Sequence, residues 1–271
     1  KDDETDGNKT EEKNAKNEWK PFTNDKMEPV SIGRNKDNFW GASTVIGGSK
    51  NHLLFITYRP RNIAVFDLHQ LQCIKYDTLP SVNSAFYHCF VSKMDNEKDK
   101  QSNKQEMILF CRDKGLEVQY DENSNTFYFE TLAVCSSMRL LYSYAYVYVN
   151  VNDSILFFGG HTPDSDCSKA VHKYSITTKE WIKFEQTLPN PCFACFGIVS
   201  SDNKSVHLLG GRSEESSVSM MHMKTDVNEW MKTETALERQ WLTEEKERHE
   251  LEKLKIAIDQ VESIVELKKL K

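Results

Sequence analysis

Residues 154–189, SILFFGGHTPDSDCSKAVHKYSITTKEWIKFEQTLP, constrain the fold more than any other part of this 271-residue chain. The stretch begins with Ile155, Leu156, Phe157 and Phe158, set between Asp153 and the pair Gly159-Gly160. So short an apolar run, bounded by turn-forming residues, suits a strand buried on both faces better than a helix. Glycine tolerates positive φ and close approach, so the pair lets a strand stop and turn in a crowded place. A second strand carrying Tyr174, a tight turn and a third strand opening on Trp181 follow. One large aromatic per copy, burying on the order of 150–250 Å², would wedge neighbouring sheets together.

Weaker copies fill most of the chain. Aligning turns together with apolar runs puts Trp19, Cys73, Phe127, Trp181 and Trp230 at equivalent positions, a period of about 54 residues that shortens to about 49 in the last copy. Four full units follow from that register, each of four short strands. They begin at FWGASTVI (39–46), SAFYHCFV (84–91), YSYAYVYVNV (142–151) and CFACFGIV (192–199). The expected fold is therefore mainly β, with the strands organised as blades.

A period near 50 with four strands per unit is the pattern of a β-propeller blade. The double glycine after an apolar strand (Gly159-Gly160, Gly210-Gly211), the spacing of Tyr174 to Trp181, Trp230, and Leu188-Pro189 leading to the next unit resemble the kelch repeat. The match is clearest over 154–233 and extends in pattern over 17–233, although the first two units have Thr57-Tyr58 and Arg112-Asp113 near the glycine positions. The resemblance implies blades around an axis, usually five to seven. Four units plus a strand at Trp19 suggest an incomplete ring with blades missing upstream of Lys1, or a strand that completes a blade across the closure.

The flanks differ in character. Residues 1–16, KDDETDGNKTEEKNAK, hold nothing to bury and are expected to be a disordered polar tail. The insertion 92–106, SKMDNEKDKQSNKQE, is long for a hairpin and reads as a polar expansion of a turn, with a functional loop as the alternative. Residues 234–271 lack Gly and Pro, and Leu251, Leu254, Ile258, Val261 and Val265 recur at helical steps between charges. This predicts an amphipathic, coiled-coil-type helix, a candidate for self-association through 251–265.

Composition narrows the function. A net charge of −6 argues against a nucleic-acid surface, which needs clustered Lys and Arg. No 18-residue apolar run is present, so no membrane span is expected. Seven scattered cysteines suggest reduced thiols and a cytoplasmic location rather than a disulfide framework.

No constellation reads as catalytic and no cofactor is implied. Cys192-Phe193-Ala194-Cys195 is a CxxC without the second pair a zinc ribbon needs, and on a strand its thiols would point to opposite faces; core packing is the expectation. His161, Asp164, Asp166 and Cys167 match neither a calcium loop nor a zinc site, and read as a polar loop. The kelch family includes a copper radical oxidase, but its ligand set has no residue-by-residue counterpart here.

Loops joining the second and third strands of each blade emerge on one face of a propeller. Arg59-Pro60-Arg61, Asp113-Lys114-Gly115, 161–169 and 212–217 are thus expected to cluster. Arginine offers a rigid fork of donors suited to carboxylates, making Arg59, Arg61 and Arg212 the candidate partner surface. The leading expectation is a non-catalytic protein-interaction scaffold. The alternatives are a structural oligomer built through the helix and a metal-dependent enzyme on a propeller.

Overall fold

The computed structural model describes residues 20–80, 82, 84–93, 103–164, 166–212 and 221–269. The expectations for 1–16, Trp19 and most of the 92–106 insertion lie outside them. Four antiparallel sheets stand side by side as a four-bladed β-propeller, followed by one long helix.

The first blade holds β1 (Asn38–Gly47), β2 (Leu53–Arg59), β3 (Asn62–Asp67) and β4 (Gln72–Thr78), paired in sequence order. The second holds β5 (Cys89–Ser92), β6 (Lys104–Cys111), β7 (Lys114–Asp121) and β8 (Thr126–Leu132). Its second strand starts earlier than the sequence suggested, because Lys104, Gln105 and Glu106 pair with Asp121, Tyr120 and Gln119. The third blade holds β9 (Ala145–Val149), β10 (Ser154–Phe158), β11 (Val171–Ser175) and β12 (Glu180–Lys183). Among the described residues the fourth holds β13 (Phe196–Val199), β14 (Ser205–Leu209) and β15 (His222–Asp226).

The repeat is written into turns as well as strands. Asp67, Asp121 and Ser175 each end the third strand of their blade, and each side chain accepts a backbone N–H from the turn that follows. Leu71, Asn125 and Lys179, two residues before the aligned Cys73, Phe127 and Trp181, all have positive φ (56°, 50° and 56°). That left-handed residue closes the turn into the fourth strand. The fourth blade departs here. Asp226 caps the chain by accepting from the Asn228 N–H at 2.8 Å, and Val227–Met231 winds into a 3-10 turn. The fourth strand expected at Trp230 is therefore absent among the described residues, since nothing at that turn adopts the left-handed conformation. Trp230 keeps its packing role, with its ring 5.7 Å from Phe158 and 5.1 Å from Phe184.

Three apolar layers glue the blades in order. Phe55, Val65, Phe90, Leu109 and Tyr120 fill the first interface. Phe110, Tyr144, Phe157, Tyr174 and Trp181 fill the second; Val147, Phe158, Ile182, Val206 and Trp230 fill the third. Trp181 works as a wedge, with its ring centroid 4.8 Å from Phe110 and 5.1 Å from Phe157, and with Nε1 donating to the Ala133 carbonyl at 2.8 Å.

Helix α1 (Ala236–Lys269) begins with a reciprocal cap: the Glu238 N–H donates to Thr235 Oγ1 at 3.2 Å, and the Thr235 N–H donates to Glu238 Oε2 at 2.9 Å. Its first half lies along the third blade. Trp241 packs on the second apolar layer, and Lys246 pairs with Glu180 at 2.6 Å. Glu245 accepts from Ser136 N and Oγ, both at 2.7 Å, and Arg139 grips Glu252 with two bonds of 2.6 and 2.7 Å. The helix thus covers the outer strand β12, where an unpaired edge would otherwise face solvent. Beyond Glu252, Leu254 and Ile258 are exposed. Among the described residues no helix is long and apolar enough to cross a membrane.

Candidate interaction surface

The segment leading into the innermost strand of each blade repeats a feature absent from the sequence reading. Gly41, Tyr87, Ser143 and Ala194 all have positive φ (71°, 43°, 54° and 52°); the last three precede the ladder pairs that open their inner strands, and Gly41 sits in the irregularity of β1 between Asn38 and Ser43. Backbone bonds link them across blades: the Tyr87 N–H donates to the Gly41 carbonyl at 2.9 Å, and the Ala194 N–H to the Ser143 carbonyl at 2.7 Å. The residue just before each is aromatic: Trp40, Phe86, Tyr142 and Phe193.

These four aromatics, with cationic or imidazole groups from the ends of the second strands, form a belt on one face. Arg59 Cζ lies 4.8 Å from the Phe86 ring centroid and 5.6 Å from that of Trp40, and Trp40 meets Phe86 edge-on at 5.0 Å. Arg112 Cζ sits 4.8 Å over Tyr142. The Tyr142 hydroxyl lies 2.7 Å from His161 Nδ1, and the His161 ring is 4.7 Å from Phe193. Phe193 and Arg212 exchange backbone bonds of 3.1 and 2.9 Å. Guanidinium over an aromatic face is held by the ring quadrupole, which leaves its N–H edge free for an anion.

Of the candidate arginines, Arg59 and Arg212 fall on this belt at its two ends, and Arg112 joins them. Arg61 is exposed beside Arg59 and meets none of the belt aromatics. No ion pair engages Arg59, Arg61, Arg112 or Arg212 among the described residues. His161 is committed to the Tyr142 hydroxyl, and backbone bridges to Tyr142 and Cys167 hold its loop in place. Arg112 and the belt aromatics were missed because no single one stands out. Their recurrence once per unit, one residue before the inner-strand turn, was the signal available.

Inside the belt, the inner strands of all four blades line a cavity of about 540 Å³, with Ser43, Tyr87, Ser143, Tyr146 and Cys195 on its wall. His88 also borders it and lies 2.6 Å, Nε2 to Oγ1, from Thr57. Burial pushes the His88 pKa from 6.5 down to about 4, so the ring is neutral near pH 7. The histidine on the cavity wall is therefore uncharged, while the belt above it carries the positive charge.

One expectation about this region is overturned. Cys192 and Cys195 do not lie on a common strand, since β13 starts at Phe196 and Ala194 is left-handed. The reversal places Cys195 on the cavity wall with its Sγ 3.4 Å from the Gly210 carbonyl, and leaves Cys192 fully buried.

No family model matches this chain, and no curated protein matches it. Among solved structures it is similar to one described as "Structure of YjhT", at 14% identity over 47% of this chain and 35% of that one, with a TM-score of 0.36. The chain thus spans about a third of that protein's length. The propeller assignment rests on the strand pairing described above.

Proposed function

We propose that this chain is a kelch-type propeller that acts as a non-catalytic protein-interaction scaffold, receiving on its belt a partner segment that presents carboxylates. The belt carries the reading: three arginines without carboxylate partners among the described residues, two of them stacked on aromatic rings, converge on one face of a chain whose net charge is −6. Stacked, pre-positioned guanidiniums lose little freedom on binding and pair bidentately with carboxylates. The kelch assignment is supported by Gly159, Gly160, Gly210 and Gly211, all at positive φ, and by Tyr174 and Trp181 standing opposite each other across β11 and β12. We place the protein in the cytoplasm, a reading supported by seven cysteines of which none forms a disulfide.

Selection of displayed peptides on the immobilised full chain tests this reading. The expected ligands are rich in Asp and Glu, weaken with added salt, and lose about tenfold in affinity, equivalent to about 1.4 kcal/mol, on Arg59→Ala or Arg112→Ala. Selected peptides without acidic residues, or binding unchanged when Arg59, Arg61, Arg112 and Arg212 are all alanine, would sink it.

A second reading, self-association through the helix, draws on Leu251, Leu254 and Ile258, all more than half exposed around and beyond the helix–blade contact at Glu252. It expects a dimer in solution that becomes monomeric when these three are changed to Gln.

A further inference from the structure

The axial cavity lies inside the belt and is built from the same segments. Tyr87, Ser143 and Ala194 on its wall each follow a belt aromatic in the chain, Phe86, Tyr142 and Phe193. Its volume of about 540 Å³ falls in the range of roughly 300–1,000 Å³ that encloses small organic groups. Tyr87 and Phe196, which border it from the second and fourth blades, are 40% and 68% exposed. Tyr87 also ties the wall to the belt, with its ring centroid 4.5 Å from Phe86 and 6.4 Å from Trp40. An exposed aromatic in a concavity sheds its water when a second ring covers it, so this wall favours a flat, apolar occupant.

The polar groups of the wall narrow the choice. Among the described residues none that lines the cavity is Asp, Glu, Lys or Arg, and His88 is neutral near pH 7. A charged group entering it would lose its water and meet no counter-charge. Ser143 is only 6% exposed, yet its hydroxyl has no hydrogen-bond partner among the described residues. His88 Nδ1, on the same wall, is likewise buried without a partner among them. Buried polar groups left unpaired carry a desolvation cost that a hydroxyl or N–H of an occupant offsets. The wall therefore suits a ring with a polar but uncharged tip, the form of a tyrosine or tryptophan side chain.

We propose that the axial cavity is an anchor pocket for one tyrosine or tryptophan side chain of the acidic partner segment, whose carboxylates meet Arg59 and Arg112 on the belt above. The acidic flank of that occupant rests on the function proposed above; the pocket does not. Charge divides the two regions, with ring-stacked guanidiniums outside and a wall free of charged side chains within. One such anchor buries on the order of 150–250 Å², enough to act as the hot spot of an otherwise polar interface.

Two probes test the pocket and the belt separately on the full chain. N-acetyltyrosinamide, which carries no charge, reports the pocket alone by saturation-transfer NMR; Asp- and Glu-rich peptides selected on the protein report pocket and belt together. Transfer to the tyrosine ring is expected, insensitive to added salt and lost in Thr44→Phe, where an exposed residue of the wall is enlarged to fill the space. The selected peptides are expected to share one Tyr or Trp. Changing it to Ala, or Phe196→Ala in the protein, should weaken binding about tenfold. Both protein substitutions are at exposed positions, and thermal melts matching the wild type establish that they remain folded. Absence of transfer, or transfer that persists in Thr44→Phe, overturns the pocket whatever the belt does. Acidic peptides that weaken on Arg59→Ala but share no aromatic overturn it as well, and leave the belt standing. Peptides without acidic residues that share the aromatic and fail to bind Thr44→Phe support the pocket and remove the belt.

Discussion

The third and fourth blades carry the same glycine pair and the same tryptophan, yet they live in different surroundings. In the third, all five residues of β10 are buried, because the second blade packs on one face and the fourth on the other. In the fourth, Val206 and Leu208 point into the interface, while Phe196, Ile198 and Leu209 on the opposite face are 68%, 42% and 37% exposed. The apolar pattern is similar in both. Whether a face is core or surface depends on the neighbour, and among the described residues no sheet covers the outer face of the fourth blade. On the first blade, Ile46 is likewise 58% exposed, although Ile56, Tyr58 and Phe66 on that side are buried with help from Val30 and Phe39.

The largest expected contrast is in packing. Phe157→Ala removes a ring held by Phe110, Tyr144 and Trp181 and should cost about 3–5 kcal/mol. Phe196→Ala on the bare face should change stability by no more than about 0.5 kcal/mol. Chemical denaturation of both variants measures the difference, and equal losses would mean the fourth blade is covered in solution.

Acid should act next, through the buried blades. His172 on β11 is wholly buried with Nε2 2.8 Å from Ser137 Oγ, and desolvation, aided by the charge of Lys183, pushes its pKa from 6.5 down to about 3. The fold holds this ring neutral, whereas the unfolded chain takes up a proton below pH 6.5. The contribution is therefore fully present above pH 6.5 and is lost as pH falls from there toward 3. With His88 acting in the same sense, the loss should reach a few kcal/mol by pH 4. Denaturation midpoints at pH 7.5 and 4.5 should converge for the His88→Gln, His172→Gln double variant, once each is normalised to its own stability at pH 7.5.

The glycine pairs should diverge as the blades do. Gly159 and Gly210 share φ +65°, so alanine at either carries a left-handed cost of about 1–2 kcal/mol. A Cβ at Gly159 would also strike the Cys192 carbonyl, whereas at Gly210 it meets nothing within 4 Å. Gly159→Ala should be worse by a further 1–3 kcal/mol or about that, read from paired thermal melts.

The smallest effect expected is at the helix clamp. Arg139→Ala removes a bidentate but half-exposed pair with Glu252 and should cost about 0.5–1 kcal/mol. The helix should stay docked through Trp241 and Glu245, visible as unchanged helical signal at 25 °C or about that temperature.

Much of the fold was legible because blade repeats impose periodic turns. The register through Cys73, Phe127 and Trp181 corresponds to left-handed turn residues at Leu71, Asn125 and Lys179. The register stopped short at Trp230, where an aspartate cap and a 3-10 turn preserve the buried indole without a strand. Burial of an aromatic is visible in a repeat; the backbone path that delivers it is not. Of the residues on the proposed belt, Arg59 and Arg212 stand out in the sequence as loop arginines, whereas Arg112, Trp40, Phe86, Tyr142 and Phe193 do not, since their convergence comes from four segments far apart in the chain.

Local chemistry alone determined the strands, the turns and the helix: short apolar runs between turn formers, and a capped stretch without Gly or Pro. Tertiary structure decided the rest. It set which blade faces are bare, which aromatics gather at the axis, that α1 lies along β12, and that the left-handed Ala194 puts Cys195 on the cavity wall. Each depends on which segments meet in space, and burial and charge pairing take their values from those neighbours.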